Sequence, residues 1–213
     1  MNAELPLADD VKSTEQHIMA RMRRAGRGSV WSAAQFRGLA QRNALDQALT
    51  RMVRKGLIRR ISHGLYLYPQ FHPMLGEAPA TVPAVLAALN ATEPTPLVAS
   101  GAYACFLLGV IRDMPSEIVL LSATTTRNIQ LPSVRMRIRK TAPRYLAGAG
   151  RLSGVLIQAW RHMGADQIDD AHISWLRQQI PAVGRHTLQS DEVLAPAWMH
   201  GRLRQLYELK IEN

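Results

Sequence analysis

At 213 residues, 47% hydrophobic and 20% charged, the chain has the composition of a globular protein of one or two domains with enough apolar material for a core. Its net charge of +10 is concentrated: residues 12–60 hold twelve Lys and Arg against Glu15 and Asp46, while fourteen bases and fourteen acids cancel elsewhere. One cysteine, Cys105, excludes a disulfide framework or a CxxC metal site within one chain, and the longest apolar run, Val98 to Ile111, is too short to span a bilayer. The opening MNAELPLADD is acidic and lacks a signal-like apolar core, so a cytoplasmic protein with no membrane partner is expected.

The first ten residues read as loose. Ser13-Thr14-Glu15-Gln16 resembles a capping box opening a helix to about Arg24, with Ile18, Met19 and Met22 on its inner side. Gly26 and Gly28 end it, and Ser29 to Trp31 is a short strand or extended link. Ser32-Ala33-Ala34-Gln35 is a second capping box, and its helix runs to about Ala40 through Phe36 and Leu39. After the turn Gln41-Arg42, Asn43 can cap a helix in which Leu45, Leu49, Met52 and Val53 recur at helical spacing. Arg54, Lys55 and Gly56 close that helix. Leu57–Ile61 and Leu65–Tyr68 are two short strands around Ser62-His63-Gly64, with Leu57, Ile58 and Ile61 packing inward.

Helix, short strand, helix, turn, helix, hairpin is the order of a winged helix-turn-helix, placed at residues 11–70. Residues 71–80, rich in proline with Gly76, read as a linker, and 81–213 as a mixed α+β domain. In that domain Thr81–Asn90 and Ser100–Val110 read as apolar helices, and Glu117–Ser122 as a strand. Val134–Lys140 alternates with period two, and helices are expected at Arg151–Met163, Asp166–Gln179 and Leu188–Leu209. The fold class expected is α+β.

On the helix from Asn43 the apolar stripe leaves Gln47, Thr50, Arg51 and Arg54 outward. Gln and Arg can pair with adenine and guanine edges, and Thr can meet a thymine methyl. Gln47 and Arg51 are therefore the expected base contacts, flanked by Asn43 and Thr50, while Arg54 and Lys55 near the helix end meet phosphate. Arg59 and Arg60 fall on different faces of the hairpin, so at least one can reach a phosphate or the minor groove; His63 is a backbone contact or simply a turn residue. Ser32 is a phosphate contact at a helix N-terminus or only a cap. A second basic surface is marked by Arg135, Arg137 and Arg139, which share one face of a strand opposite Val134, Met136 and Ile138. Their repulsion calls for acid opposite, from a partner protein, a nucleic acid or the domain itself. Thr124 to Asn128 reads as a polar loop.

No enzyme is expected, and no cofactor or metal. The seven histidines show no metal-site spacing, and P-loop, GxGxxG and GxSxG patterns are missing from the sequence. Asp169 and Asp170 are adjacent and diverge by about 100 degrees on a helix, so they mark a helix start rather than a shared site.

The stretch Thr14 to Pro69 resembles the AbiEi-type antitoxins of type IV toxin–antitoxin systems, above all in Gly28-Ser-Val-Trp-Ser32, Ala44–Leu49 and Val53–Tyr68 with its Gly64-Leu-Tyr66 ending. The likeness continues through Ser100-Gly-Ala-Tyr-Ala104 to Gly109 and the strand Glu117–Ser122. It implies a DNA-binding antitoxin that represses its own operon by binding double-stranded promoter DNA, and whose C-terminal domain counteracts a nucleotidyltransferase-like toxin, with or without a stable complex. The toxin's Gly-Ser motif with paired aspartates is not met: Gly28-Ser29 is followed by no acid. The alternative is a stand-alone winged-helix transcription regulator whose C-terminal domain dimerises or senses a ligand. Either reading expects a monomer or weak dimer.

Overall fold

The computed structural model describes residues 8–208, a mixed α+β chain that divides into two compact units. One runs to Glu93 and takes in Gln130–Pro132; the other comprises Pro94–Ile129 and the chain from Ser133 onward.

In the first unit, α1 spans Ala8–Ala25, so the helix begins before Ser13 instead of being capped there. Its inner side is the one expected: Ile18 and Met22 are fully buried, and Gly26, at φ 90°, ends it. Strand β1 (Val30–Ser32) follows. The helix expected to reach Ala40 is a single 3-10 turn, Ala33–Phe36. Arg37 N–H donates to the Ala34 carbonyl and Leu39 N–H to that of Phe36, the i→i+3 pattern of the tighter helix, with Gly38 disfavouring continuation. Phe36 is nonetheless fully buried and stacks on Trp31 at 5.2 Å between ring centroids.

Helix α2 is Arg42–Arg54, capped by Gln41 without a side-chain bond, which places Asn43 in its first turn instead of at the cap. Its C-terminus is closed by paired bonds, Gly56 N–H to Val53 C=O and Leu57 N–H to Met52 C=O. This double bond pattern needs the left-handed conformation that Gly56 adopts at φ 67°. Strands β2 (Arg59–Ser62) and β3 (Leu65–Leu67) form a hairpin, with β3 central in the order β1-β3-β2 and all neighbours antiparallel. The register slips between Arg60 and Ser62, making Ile61 a bulge, and the turn narrows to His63-Gly64. Ile58 is buried as expected, whereas Leu57 stands 39% exposed, because the helix-end bonds fix its backbone outside the sheet. One core joins α1, the 3-10 turn, α2 and the hairpin through Ile18, Met22, Phe36, Leu49, Met52 and Tyr66.

The stretch expected as linker carries a minimal hairpin, β4 (Phe71–His72) with β5 (Gly76–Glu77). Helix α3 (Val82–Asn90) opens on a Thr81 cap and packs on β1, so this unit extends past residue 80.

The second unit is built on a four-stranded sheet in the order β6-β7-β9-β8: β6 (Val98–Ser100), β7 (Glu117–Ser122), β8 (Arg127–Gln130) and β9 (Arg135–Lys140). β7 runs antiparallel to β6 and parallel to β9. Residues 127–130, expected in a polar loop, form an edge strand in which only Ile129 is buried. The helix expected from Ser100 is shorter, α4 (Ala102–Leu107), because Val98–Ser100 pairs as β6. Helices α5 (Leu152–Met163), α6 (Asp170–Gln179), α7 (Ala182–Ser190) and α8 (Ala197–Tyr207) complete the unit around Trp160, Leu156, Leu176, Met199 and Leu206. Pro196 divides what the sequence suggested as one helix from Leu188 to Leu209, and Gly184 lies inside α7. Asp169 caps α6 by accepting from His172 N–H, as the acidic pair suggested. Among the described residues no helix is long and apolar enough to cross a membrane.

Candidate nucleic-acid interface

Helix α2 separates its faces cleanly. Ala44, Leu45, Ala48, Leu49 and Met52 are buried, and Asn43, Gln47, Thr50 and Arg54 are exposed. Asp46, Gln47, Thr50, Arg51 and Arg54 line a shallow open depression of about 400 Å³ along the helix. The Thr50 hydroxyl donates to the Asp46 carbonyl at 2.7 Å, which leaves its methyl as the group able to meet a base. Asp46 was not singled out by sequence. A carboxylate on this face can accept from a cytosine amino group and repels phosphate, so it constrains how a duplex could lie.

Arg51 is held differently from the simple outward residue expected. Its Nε donates to Glu15 at 3.1 Å, and Lys55 Nζ donates to the same carboxylate at 2.7 Å. Glu15 is 13% exposed and belongs to α1, so it ties the two helices together and offsets two of the cations expected to face a partner. The Arg51 Nη2 is buried without a hydrogen-bond partner, a donor left over by this clamp.

At the hairpin, Arg59 pairs with Glu77 of β5 at 3.1 Å. The Arg60 guanidinium, which can only donate, reaches His63 Nδ1 at 3.0 Å, so the tip presents Arg60 and His63 as one exposed unit. Ser32 is a cap: its hydroxyl accepts from Ala34 N–H at 3.3 Å while Gln35 Oε1 accepts from Ser32 N–H at 2.7 Å. Arg21 and Arg27 also serve the fold, donating to the carbonyls of Gln35 and Pro69, with Arg27 lying over the Tyr68 ring. Arg23, Arg24, Arg37, Arg42 and Arg54 are exposed and make no ion pair among the described residues.

Tyr66, central in the sheet, has its hydroxyl pKa pushed up by burial; Arg60 pulls it down and Asp46 raises it again, placing both charges within reach of one ring. In the second unit β9 alternates as expected, with Met136 and Ile138 buried and Arg135, Arg137 and Arg139 exposed. Arg137 pairs with Glu117 at 2.8 Å, so the domain itself supplies acid to one of the three. Among the described residues no group of three or more His, Cys, Asp or Glu is placed to hold a metal ion.

These features define a mixed α+β protein with a basic helix-and-hairpin face in its first unit. The chain belongs to DUF6088, a family of unknown function, whose model matches residues 17–186. It is similar to the solved crystal structure of the RV2827C protein from Mycobacterium tuberculosis, at 16% identity over 96% of this chain and 83% of that one, with a TM-score of 0.42. Comparison with curated proteins gave no match.

Proposed function

We propose that the first unit is a winged-helix DNA-binding domain and that the chain is an autoregulating antitoxin. On this reading α2 enters the major groove, the β2–β3 hairpin is the wing, and Asn43, Gln47 and Thr50 face base edges. Arg54, Arg42 and Arg60 meet phosphates. The observation that carries it is the exposed polar face of α2 backed by a fully apolar one, inside a segment holding the whole net charge of the chain. A helix polar on its outer side needs no partner to be stable. A helix that also gathers unpaired arginines at its end, beside a basic hairpin, has an electrostatic reason to seek a polyanion.

The antitoxin role rests on the resemblance at Thr14–Pro69 and Ser100–Ser122, and the second unit is the part proposed to counteract a nucleotidyltransferase-like toxin. The two roles are separable. Gln47→Ala with Arg54→Ala should abolish binding to DNA upstream of the gene while growth protection against the co-expressed toxin survives. Arg54 is chosen in place of Arg51 because Arg51 also holds α1 through Glu15. A double variant that binds the operator like the wild type would overturn the proposed recognition face. Wild-type protein that gives no protection would overturn the antitoxin reading and favour a stand-alone regulator.

A further inference from the structure

The second unit carries a basic surface that DNA reading by α2 does not use. In β9, Arg135, Arg137 and Arg139 follow one another two residues apart, roughly 6.6 Å along an extended strand. Directly paired residues in a sheet share a face. The pairs Glu117–Arg135, Val119–Arg137 and Leu121–Arg139 therefore place the arginines beside β7 on one side of the sheet. On that same side Leu121 and Val98 form an apolar cluster with Leu146, and Tyr145 packs against it.

Tyr145 gathers two further cations. The guanidinium carbons of Arg144 and of Arg161 each lie 4.9 Å from its ring centroid. Both arginines are exposed, and neither makes an ion pair among the described residues. The row of arginines on β9 thus runs alongside an aromatic ring dressed with two planar cations, and Glu117 is the carboxylate paired into this row. Like charges so collected repel one another, and the surface is relieved when a chain of negative charge lies across it. An acidic protein could also neutralise it. The regular spacing along one strand and the planar groups at its end fit a sugar–phosphate backbone with splayed bases better than the irregular carboxylates of a protein surface.

We infer that this face of the second unit binds single-stranded nucleic acid, with Arg137 and Arg139 on successive phosphates and Arg144 and Arg161 offering planes for bases. No element projects from this open sheet side to enter a duplex groove, so an extended strand is the form it accommodates.

The test is fluorescence anisotropy of the full chain with labelled oligo(U) and oligo(dT) of about 12 nucleotides, in the range of known single-strand sites. The wild type should bind at least one of them, and the tighter arm names the sugar. Arg139→Gln with Arg144→Gln and Arg161→Gln, all exposed positions, should weaken that binding by about tenfold or more. The slope of log K against log salt should fall by about 2, at about 0.7 per lost phosphate contact. Gln47→Ala with Arg54→Ala should leave single-strand binding unchanged, which separates this surface from α2. The inference is overturned if the wild type binds neither strand, if the triple variant keeps the wild-type slope while its melting curve is unaltered, or if the α2 variant loses single-strand binding.

Discussion

Replacing Glu15 by Gln tests how α1 governs the DNA face. The carboxylate accepts from Arg51 Nε and Lys55 Nζ at 3.1 and 2.7 Å, and those side chains are 40% and 55% exposed. Ion pairs this open to water contribute about 0–1 kcal/mol each, so losing both should lower stability by at most about 2 kcal/mol. For a domain of this size that corresponds to a melting shift of up to roughly 10 °C. DNA binding should move the other way. The local charge of the triad rises from +1 to +2, and the direct Coulomb term at about 8 Å in water is only about 0.5 kcal/mol before screening. The larger effect is release of Arg51 and Lys55 to meet phosphates, each steepening the slope of log K against log salt by about 0.9. Anisotropy titrations at several salt concentrations, with a thermal melt alongside, read both quantities. A melting loss with an unchanged slope would refute the reasoning, because it would mean these two bases do not face the duplex.

Further outcomes follow from the second unit. A Cβ at Gly154 would lie 2.3 Å from the Gly148 carbonyl oxygen, a backbone clash, so Gly154→Ala should destabilise by about 1–3 kcal/mol or more, seen as a lower melting temperature with little soluble protein. Burial holds the His172 pKa below its usual value although Asp169 raises it, and its Nε2 accepts from the Trp160 indole at 3.2 Å. The unfolded chain therefore takes up a proton more readily. Stability should be constant above pH 6.5 and decline as pH falls below it towards the depressed folded pKa; His172→Gln should flatten that decline in melts across the pH series.

The elements that sequence periodicity made visible were those whose burial alternates strongly. The stripe Leu45, Leu49, Met52 in α2 and the alternation of Met136 and Ile138 with arginines in β9 are each buried on one side and exposed on the other. The capping box at Ser32 was legible because both of its bonds are local. The length of the element it opens was not, since Gly38 and the burial of Phe36 favour a single tight turn. Edge strand β8 escaped because its residues are polar apart from Ile129, and a strand paired on one side needs little apolar patterning. The partners of Arg51, Lys55 and Arg59 lie 36, 40 and 18 residues away, so nothing local announces which cations the fold itself engages. Of the residues proposed to meet DNA, Asn43, Gln47, Thr50 and Arg54 share an exposed helix face, whereas Ser32 is committed to capping.

The central claim is that the first unit reads duplex DNA through α2. Its most direct measurement is affinity for the DNA upstream of the protein's own gene against a scrambled duplex of equal length, at about 150 mM salt, where exposed charges are screened beyond roughly 8 Å. The account predicts a preference of about a thousandfold or more for the upstream sequence; equal, weak binding to both duplexes would contradict it.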